Sequence, residues 1–202
     1  WLKALYPNVY EQVLEKVRSG KFYPEGALWV EFDTNIPSGE GLVRQFVRGK
    51  RWFRDVLGVD SKMAWMPDTF GFNGALPQIM KKCQVPYFAT QKLTRQDPEA
   101  EPFPYNVFWW EGIDGTKVLS HLFRRSNAVF TPGELITRWE EHRAQQENID
   151  GLIFPFGHGD GGGGPTREMV EMGQRCADLE GAPRCHMESP VKYFQRLENV
   201  EN

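Results

Sequence analysis

A short apolar segment that ends in a proline and an acid constrains the fold of this chain more than any other stretch. Residues 63–66, Met-Ala-Trp-Met, have the composition of a buried strand, and Pro67, which cannot donate to a sheet ladder, predicts where it ends. Asp68 follows at once, and α/β enzymes keep their catalytic groups just past the C-terminal ends of buried strands. Asp68 is therefore a candidate catalytic carboxylate, and capping of a turn or of the next helix is the alternative.

Segments with strand and helix character alternate along the chain, which predicts one α/β domain with a largely parallel sheet. Apolar spacing predicts helices over residues 8–19, 41–56, 76–83, 131–146 and 167–179. Apolar runs predict strands over residues 26–32, 62–66, 87–90, 106–110, 117–123 and 152–156. Polar side chains at strand ends, Glu31, Asp33, Asn35, Asp68 and Asp160, would then share one rim. A barrel with its site on that rim follows, and an open sheet is the alternative.

Composition argues against several classes of partner. The 202 residues carry a formal net charge of -3 and no block of Lys and Arg, which argues against nucleic acid. No apolar run reaches the roughly 18 residues of a membrane span, so no membrane partner is expected. The cysteines, Cys83, Cys176 and Cys185, have no CxxC spacing and are expected to be free thiols. A bridge between Cys176 and Cys185 is the alternative.

A run of glycines after the last predicted strand contains the second candidate carboxylate. Asp160 precedes four consecutive glycines, which permit backbone conformations closed to other residues and let a ligand approach the main chain. The Lys-Ser/Thr ending of a phosphate loop is missing, and so is the GxGxxG spacing with a partner acid, so nucleotide binding is only an alternative. Asp68 and Asp160 together would supply the two carboxylates that glycoside hydrolysis uses.

The histidines form no complete metal site on residue types alone. His158 and Asp160 make a His-x-Asp pair suited to a metal, but the stretch has no third ligand at a familiar spacing. His142 and His186 are predicted to be solvated. His121, within a strand, is predicted to be buried and hydrogen-bonded.

Five groups of segments, in order along the chain, resemble the glycoside hydrolase family 38 α-mannosidases. The first is Trp-Met-Pro-Asp-Thr-Phe-Gly at residues 65–71, followed by Ala-Leu-Pro-Gln-Ile at 75–79. The others are Trp-Val-Glu (29–31) with Asp-Thr-Asn (33–35) and Ser-Gly-Glu (38–40), Thr-Gln-Lys-Leu (90–93), Phe-Trp-Trp-Glu-Gly-Ile-Asp-Gly (108–115) and the glycine-rich stretch 157–166. The glycine run is similar to the cytosolic and vacuolar branch of the family.

The resemblance implies an α/β fold: part of a seven-stranded α/β barrel, with mostly parallel strands and flanking helices. Residues 1–202 would be a single domain, the central part of the catalytic domain of a longer multidomain chain. The chain opens on Trp1, without an initiator Met, inside a predicted helix, and we expect it to be a fragment. The fragment alone is expected to be inactive.

The resemblance also implies a retaining, metal-assisted exo-α-mannosidase that removes nonreducing terminal α-D-mannose from oligosaccharides or N-glycans by double displacement. It assigns Asp68 as the nucleophile and a metal ligand, and Asp160, the only carboxylate of its loop, as the candidate general acid/base. Phe70, Trp110 and Asp33 are expected to bind the substrate. Zn²⁺ is the implied cofactor, with Co²⁺ as a possible substitute.

Two departures from the family pattern bear on these expectations. The other metal ligands of the family come from a His-x-Asp motif on an early strand and a His-Asp motif further downstream, and neither is found there in this sequence. We therefore expect the remaining ligands outside this chain. His158 is a candidate replacement, although related sequences commonly carry Tyr or Phe at that place. Phe32 stands where the family usually has a small residue or Pro.

The expected partners are α-mannosides and oligosaccharides, with no nucleic acid and no membrane. The resemblance implies a homo-oligomer in the full-length form, located in the cytoplasm or the vacuole. A non-catalytic carbohydrate-binding protein derived from the same fold is the alternative to an enzyme.

Overall fold

A mixed sheet forms the centre of this protein in a computed structural model that describes residues 1–94 and 103–198. Its strands are β1 (Met63–Trp65), β2 (Tyr87–Thr90), β3 (Val107–Glu111) and β4 (Lys117–Leu122). In the described part of the chain they form a four-stranded sheet of order β1-β2-β4-β3. The pairs β1-β2 and β2-β4 are parallel, whereas β3 is antiparallel to β4, as expected for two strands joined by a turn.

Helices flank the sheet. They are α1 (Leu2–Leu5), α2 (Pro7–Arg18), α3 (Gly39–Trp52), α4 (Leu76–Lys82), α5 (Pro132–Gln145), α6 (Arg167–Arg175) and α7 (Pro190–Leu197). A π-helical turn, Phe53–Leu57, continues α3, and a 3₁₀ turn, Lys92–Thr94, follows β2. Across the described residues, no helix combines the length and the apolar character that crossing a membrane requires.

Hydroxyl side chains fix the first turns of several helices. Ser38, Thr131, Thr166 and Ser189 each accept a hydrogen bond from a backbone N–H in the first turn of α3, α5, α6 and α7 respectively. Such caps satisfy N–H groups that have no partner within the helix. The sequence prediction missed α7 although both of its start signals, Ser189 at the N-cap and Pro190 at the first helical position, are in the chain.

Two hydrophobic clusters cover the two faces of the sheet, because successive strand residues point to opposite sides. On β2, Phe88 belongs to the cluster under α3 and α4, whereas Tyr87 belongs to the cluster under α7. Tyr87 stacks on Phe194 of α7 with ring centroids 4.9 Å apart. Helices on both faces of parallel strands are the arrangement that the alternating sequence predicts.

Two predicted strands are absent as strands from the described structure. Among the described residues, the β-pairing of segment 26–32 is the single bridge Gly26–Ala64, and that of segment 152–156 is the bridge Ala128–Phe156. The reason for the first is that its backbone bonds to α3: Trp29 N donates to the carbonyl of Gln45 at 3.1 Å. In the second, Pro155 has no N–H to donate to a ladder. The seven-stranded barrel is therefore not confirmed, and the sheet that is present has four described strands.

Two buried histidines each differ from their prediction, His142 in its burial and His121 in its hydrogen bonding. His142, predicted to be solvated, is buried: its Nδ1 lies 3.1 Å from Asn106 Nδ2 and its Nε2 lies 2.9 Å from the carbonyl oxygen of Ile149. His121 is buried as predicted, but neither ring nitrogen has a hydrogen-bond partner among the described residues. The prediction of free thiols is confirmed for Cys83, Cys176 and Cys185.

Candidate active site

Asp68 lies just beyond the C-terminal end of β1, where the sequence predicts it. Met66 N still donates to the carbonyl of Ala89 on β2, at 3.0 Å, and Pro67 then ends the pairing. The carboxylate of Asp68 emerges on the edge at which the parallel strands β1, β2 and β4 all finish. Its side chain is 52% exposed, so a ligand has access to it from solvent.

Two donors from the end of β2 hold one oxygen of Asp68. Lys92 Nζ lies 2.9 Å from Asp68 Oδ1, and Gln91 Nε2 donates to the same oxygen at 3.0 Å. The hydrogen bond from Lys92 is the main cause that lowers the pKa of the Asp68 carboxyl below its ordinary value, and Gln91 adds to it. Lys92 Nζ also lies 4.7 Å from the ring centroid of Phe70, in cation–π geometry.

A segment from the other side of β1 pins the loop that carries Asp68. Glu31 Oε1 accepts hydrogen bonds from the backbone N–H groups of Asp68 and, at 3.0 Å, of Thr69. Further along, Thr34 Oγ1 donates to the carbonyl of Gly71 at 3.0 Å. Gly71 has a φ of 81°, and a Cβ there would lie 2.6 Å from an Asn35 side-chain atom, so glycine is required. Residues 31–35 and 68–73 therefore form one rigid corner of the rim.

Asp33 and Phe70, both predicted to bind substrate, lie in this corner. Asp33 is exposed, and its Oδ1 accepts backbone hydrogen bonds from Asn35 at 2.7 Å and Ile36 at 2.8 Å. These bonds, that of Ile36 first, lower the pKa of Asp33. Phe70 is 70% exposed, which is unusual for so large an apolar side chain beside a carboxylate. Its ring is largely open to solvent on the same rim as Asp68.

Trp110, also predicted to bind substrate, is not brought to this corner. It pairs with Val118 near the start of β4, whereas Asp68 follows the end of β1. Its ring packs on Phe88 at 5.2 Å and on Phe72 at 6.3 Å between centroids. Because its partly buried ring packs against the core, a role for Trp110 in sugar binding stays a prediction that its location does not support.

The glycine-rich loop is a closed hairpin with Asp160 at its tip. His158 N donates to the carbonyl of Gly164 at 2.8 Å, and Asp160 itself has a φ of 54°. A Cβ at Gly163 would lie 2.7 Å from the Cβ of His158, and one at Gly157 would lie 2.7 Å from Pro165 N. Close approach within the hairpin therefore requires glycine at positions 157 and 163. Asp160 and His158 are both exposed.

Gln91 connects the Asp68 corner to this hairpin. Besides donating to Asp68, its Oε1 accepts a hydrogen bond from the backbone N–H of Ser126 at 2.9 Å. The next residue, Asn127, packs against the hairpin, because a Cβ built at Gly159 would lie 3.1 Å from Asn127 Cβ. Asp160, adjacent to Gly159, therefore belongs to the same side of the protein as Asp68.

Sequence reasoning assigned no role to Glu31, Gln91, Lys92 or Ser126. The first three stand in segments that carry the family resemblance, and Gln91 and Lys92 follow directly after β2, as Asp68 follows β1. Position at the end of a parallel strand was the signal that would have found them. The contact of Ser126 is made by its backbone N–H, to which no side-chain pattern points.

Known proteins resemble this chain over nearly its whole length. The model of the Glycosyl hydrolases family 38 N-terminal domain matches residues 1–201. Alpha-mannosidase 2C1 of Homo sapiens is 39% identical over 201 residues, which is 98% of this chain and 19% of that protein. The chain belongs to glycoside hydrolase family 38. Alpha-mannosidase of Saccharomyces cerevisiae is 38% identical over 182 residues, 89% of this chain and 16% of that protein.

Solved structures agree with this membership of family 38 at the level of the fold. An alpha-mannosidase from Enterococcus faecalis V583 superposes with a TM-score of 0.77 at 21% identity, covering 99% of this chain and 23% of the other. The chain spans less than a fifth of the length of these relatives, 19% of the human protein and 16% of the yeast protein.

Membership of family 38 leads us to expect a zinc ion, but the described residues do not form a complete zinc site. In the described ranges, 1–94 and 103–198, no three His, Cys, Asp or Glu side chains lie together as metal ligands would. Asp68 faces the ammonium group of Lys92, and His158 lies on the exposed hairpin. The described residues alone therefore do not fit a tetrahedral zinc site.

Proposed function

We propose that the whole protein to which this chain belongs is a retaining α-mannosidase that releases nonreducing terminal α-D-mannose from oligosaccharides or N-glycans. The observation that carries the proposal is the position of Asp68: an accessible carboxylate at the end of β1, with one oxygen held by Lys92 and Gln91. The relatives of this chain that are named alpha-mannosidases support mannose as the sugar that is released.

Asp68 is the proposed nucleophile. Lys92 lowers the pKa of its carboxyl, which keeps it ionised, and both donors contact Oδ1. The other oxygen, Oδ2, would attack the anomeric carbon while the bond to the leaving oxygen breaks, forming a mannosyl ester. Water would then displace Asp68 from the sugar and give mannose with its original α configuration.

Asp160 is the proposed general acid/base. It would give its proton to the leaving oxygen in the first step and take one from the attacking water in the second. It lies at the tip of a hairpin that packs against Asn127. Gln91 bonds both to the backbone of Ser126, the residue before Asn127, and to Asp68, and this connection supports the role. Phe70 would stack on a sugar face and Asp33 would accept hydrogen bonds from sugar hydroxyls.

A Zn²⁺ or Co²⁺ ion enters the proposal only through Asp68. Such an ion would take Asp68 as one ligand and would need its remaining ligands from other parts of the whole protein, since the described residues do not complete a site. The steps above are written for the residues of this chain and do not pass through the ion.

The sheet is proposed to be part of a seven-stranded barrel in the whole protein. The parallel bridge Gly26–Ala64 supports this, because it lies on the side of β1 that does not face β2 and marks where a further strand would pair. Residues 1–202 would then be the central part of one catalytic domain. A homo-oligomeric state and a cytoplasmic or vacuolar location are proposed from the family resemblance.

A non-catalytic carbohydrate-binding protein is the second candidate. The observation that favours it is the ion pair of Lys92 with Asp68. If this ion pair kept Asp68 from attacking the sugar, the protein would retain its sugar-binding rim without turnover.

Hydrolysis of p-nitrophenyl α-D-mannoside by the whole protein, followed by proton NMR, tests the proposal. We expect α-mannose as the first product, before mutarotation, and loss of activity after chelation with recovery on adding Zn²⁺ or Co²⁺. Initial β-mannose would overturn retention. Mannose binding without hydrolysis, by folded protein with either ion present, would favour the binding protein.

A further inference from the structure

The amide of Gln91 forms a described hydrogen bond through each of its two polar atoms. Its Nε2 donates to Oδ1 of Asp68 at 3.0 Å, and its Oε1 accepts from the backbone N–H of Ser126 at 2.9 Å. Asp68 follows β1, Gln91 follows β2 and Ser126 lies beyond β4, so one side chain joins three successive parallel strand ends.

The two contacts fix the orientation of the amide. A backbone N–H can only donate and an ionised carboxylate can only accept, so each partner demands the same orientation. In the flipped orientation the NH₂ group would face the N–H of Ser126 and the carbonyl oxygen would face Asp68, and both contacts would be repulsive. Ser126 therefore directs an N–H of Gln91 at Asp68.

We propose that Gln91 is a positioning residue that aims Asp68 at the sugar, with its own orientation set by the backbone of Ser126. The inference rests on the proposed function, in which Asp68 is the nucleophile. Lys92 contacts the same oxygen, Oδ1, at 2.9 Å, so two donors converge on it and turn Oδ2 toward the substrate. Lys92 supplies charge, whereas Gln91 supplies direction, because only an amide meets both neighbours.

Gln91 also sets the place of Asp68 relative to the hairpin that carries Asp160. The segment it bonds continues into Asn127, which packs against Gly159. Loss of the contact between Gln91 and Asp68 would leave the fold of the rim intact and release only the carboxylate.

Two substitutions in the whole protein separate this role from a structural one. Gln91→Glu keeps the shape and the acceptor for Ser126 but offers Asp68 no N–H and places a like charge beside it. Gln91→Met keeps the length and loses both hydrogen bonds. We expect kcat for p-nitrophenyl α-D-mannoside to fall about 100-fold in both, the scale that misplacing a reacting group produces, with KM within about threefold of the wild type.

A purely structural role would give a different pattern: Gln91→Glu, which retains the bond to Ser126, would keep the wild-type kcat, and only Gln91→Met would lose activity. That outcome would overturn the inference. Gln174→Glu, the same change on the exposed side of α6, is the matched control and should leave kcat unchanged. Thermal unfolding of each variant establishes that it is folded.

Two further variants keep the result interpretable. Gln91→Asn retains the amide but is one methylene too short to reach both partners, so if Gln91→Glu does not fold, a wild-type kcat in Gln91→Asn overturns the inference. Asp68→Asn separates it from the proposed function. Activity in Asp68→Asn refutes the proposed nucleophile, whereas an inactive Asp68→Asn beside a fully active Gln91→Glu refutes only the role of Gln91.

Discussion

Glu31 accepts a hydrogen bond at Oε1 from the backbone N–H of Thr69 at 3.0 Å, across 38 residues of sequence. The same oxygen accepts the N–H of Asp68, so the backbone of the proposed nucleophile is held by a side chain from the loop before α3. Hydrogen bonds to a carboxylate are stronger than those between neutral groups. Glu31 thus fixes the main chain of Asp68, while Gln91 and Lys92 hold its side chain.

Replacing Glu31 by Ala should lower kcat of the whole enzyme on p-nitrophenyl α-D-mannoside about tenfold or more, because the backbone that carries Asp68 loses its anchor. Glu31→Gln, which retains an acceptor oxygen, should lose less. Glu40→Ala is the control, since its ion pair with Arg44 is fully on the surface, with both side chains 68% exposed. Equal kcat values for Glu31→Ala and Glu40→Ala would contradict the anchoring role.

Asp160→Ala should affect substrates according to their leaving groups. A general acid matters most when the departing oxygen is a poor leaving group, so mannobiose hydrolysis should fall far more than hydrolysis of dinitrophenyl mannoside. The measurement is the ratio of kcat/KM for the two substrates in the variant and the wild type. An unchanged ratio would remove Asp160 from the acid role and direct attention to a carboxylate elsewhere in the whole protein.

His121 should make the domain less stable in acid. Burial lowers its pKa to about 3, whereas an unfolded histidine titrates near 6.5. Below about pH 6.5 the unfolded chain therefore binds a proton that the folded chain refuses, and stability falls by roughly 1.4 kcal/mol per pH unit. This contribution to stability is fully present above the unfolded pKa and is lost as pH falls.

The measurement compares thermal unfolding midpoints of wild type and His121→Leu between pH 7 and pH 5. Relative to the wild type, the midpoint of His121→Leu should rise as the pH falls. A constant difference across this range would mean that His121 takes up a proton in the folded protein.

Gly49→Ala should destabilise the protein because α3 lies directly on the segment that precedes Asp33. A Cβ at Gly49 would lie 2.5 Å from the carbonyl oxygen of Ala27 and 2.6 Å from Trp29 N, and backbone cannot move aside cheaply. Overpacking of this kind costs about 1–3 kcal/mol, so the midpoint of thermal unfolding should fall by several degrees. Gly39→Ala in the same helix, with nothing within 4 Å, should be neutral or stabilising.

How far the sequence predicted the structure depended on the range of the interactions involved. The parallel strands β1, β2 and β4 and the position of Asp68 were predicted, because apolar runs and Pro67 are local signals. The donors to Asp68 were not, because Gln91 is 23 residues away and its partner Ser126 contributes only a backbone N–H. Such contacts exist only once the strands are side by side.

The wrong predictions share a physical cause. His142 was placed in solvent because Glu140, Glu141 and Arg143 surround it in sequence, yet its ring is the one that turns inward to Asn106. Residues 26–32 have a strand composition, but their backbone donors are used by α3. In both cases the local pattern was compatible with two environments, and packing selected the one that satisfied the polar groups.

Release of p-nitrophenol from p-nitrophenyl α-D-mannoside by the whole protein and its Asp68→Asn variant, with Zn²⁺ or Co²⁺ added, tests the central claim most directly. Asparagine keeps the shape of the side chain but cannot form the mannosyl ester. We expect turnover by the wild type and a loss on the order of 10³-fold or more in the variant, with its fold retained. Near-normal turnover by folded Asp68→Asn would contradict the account.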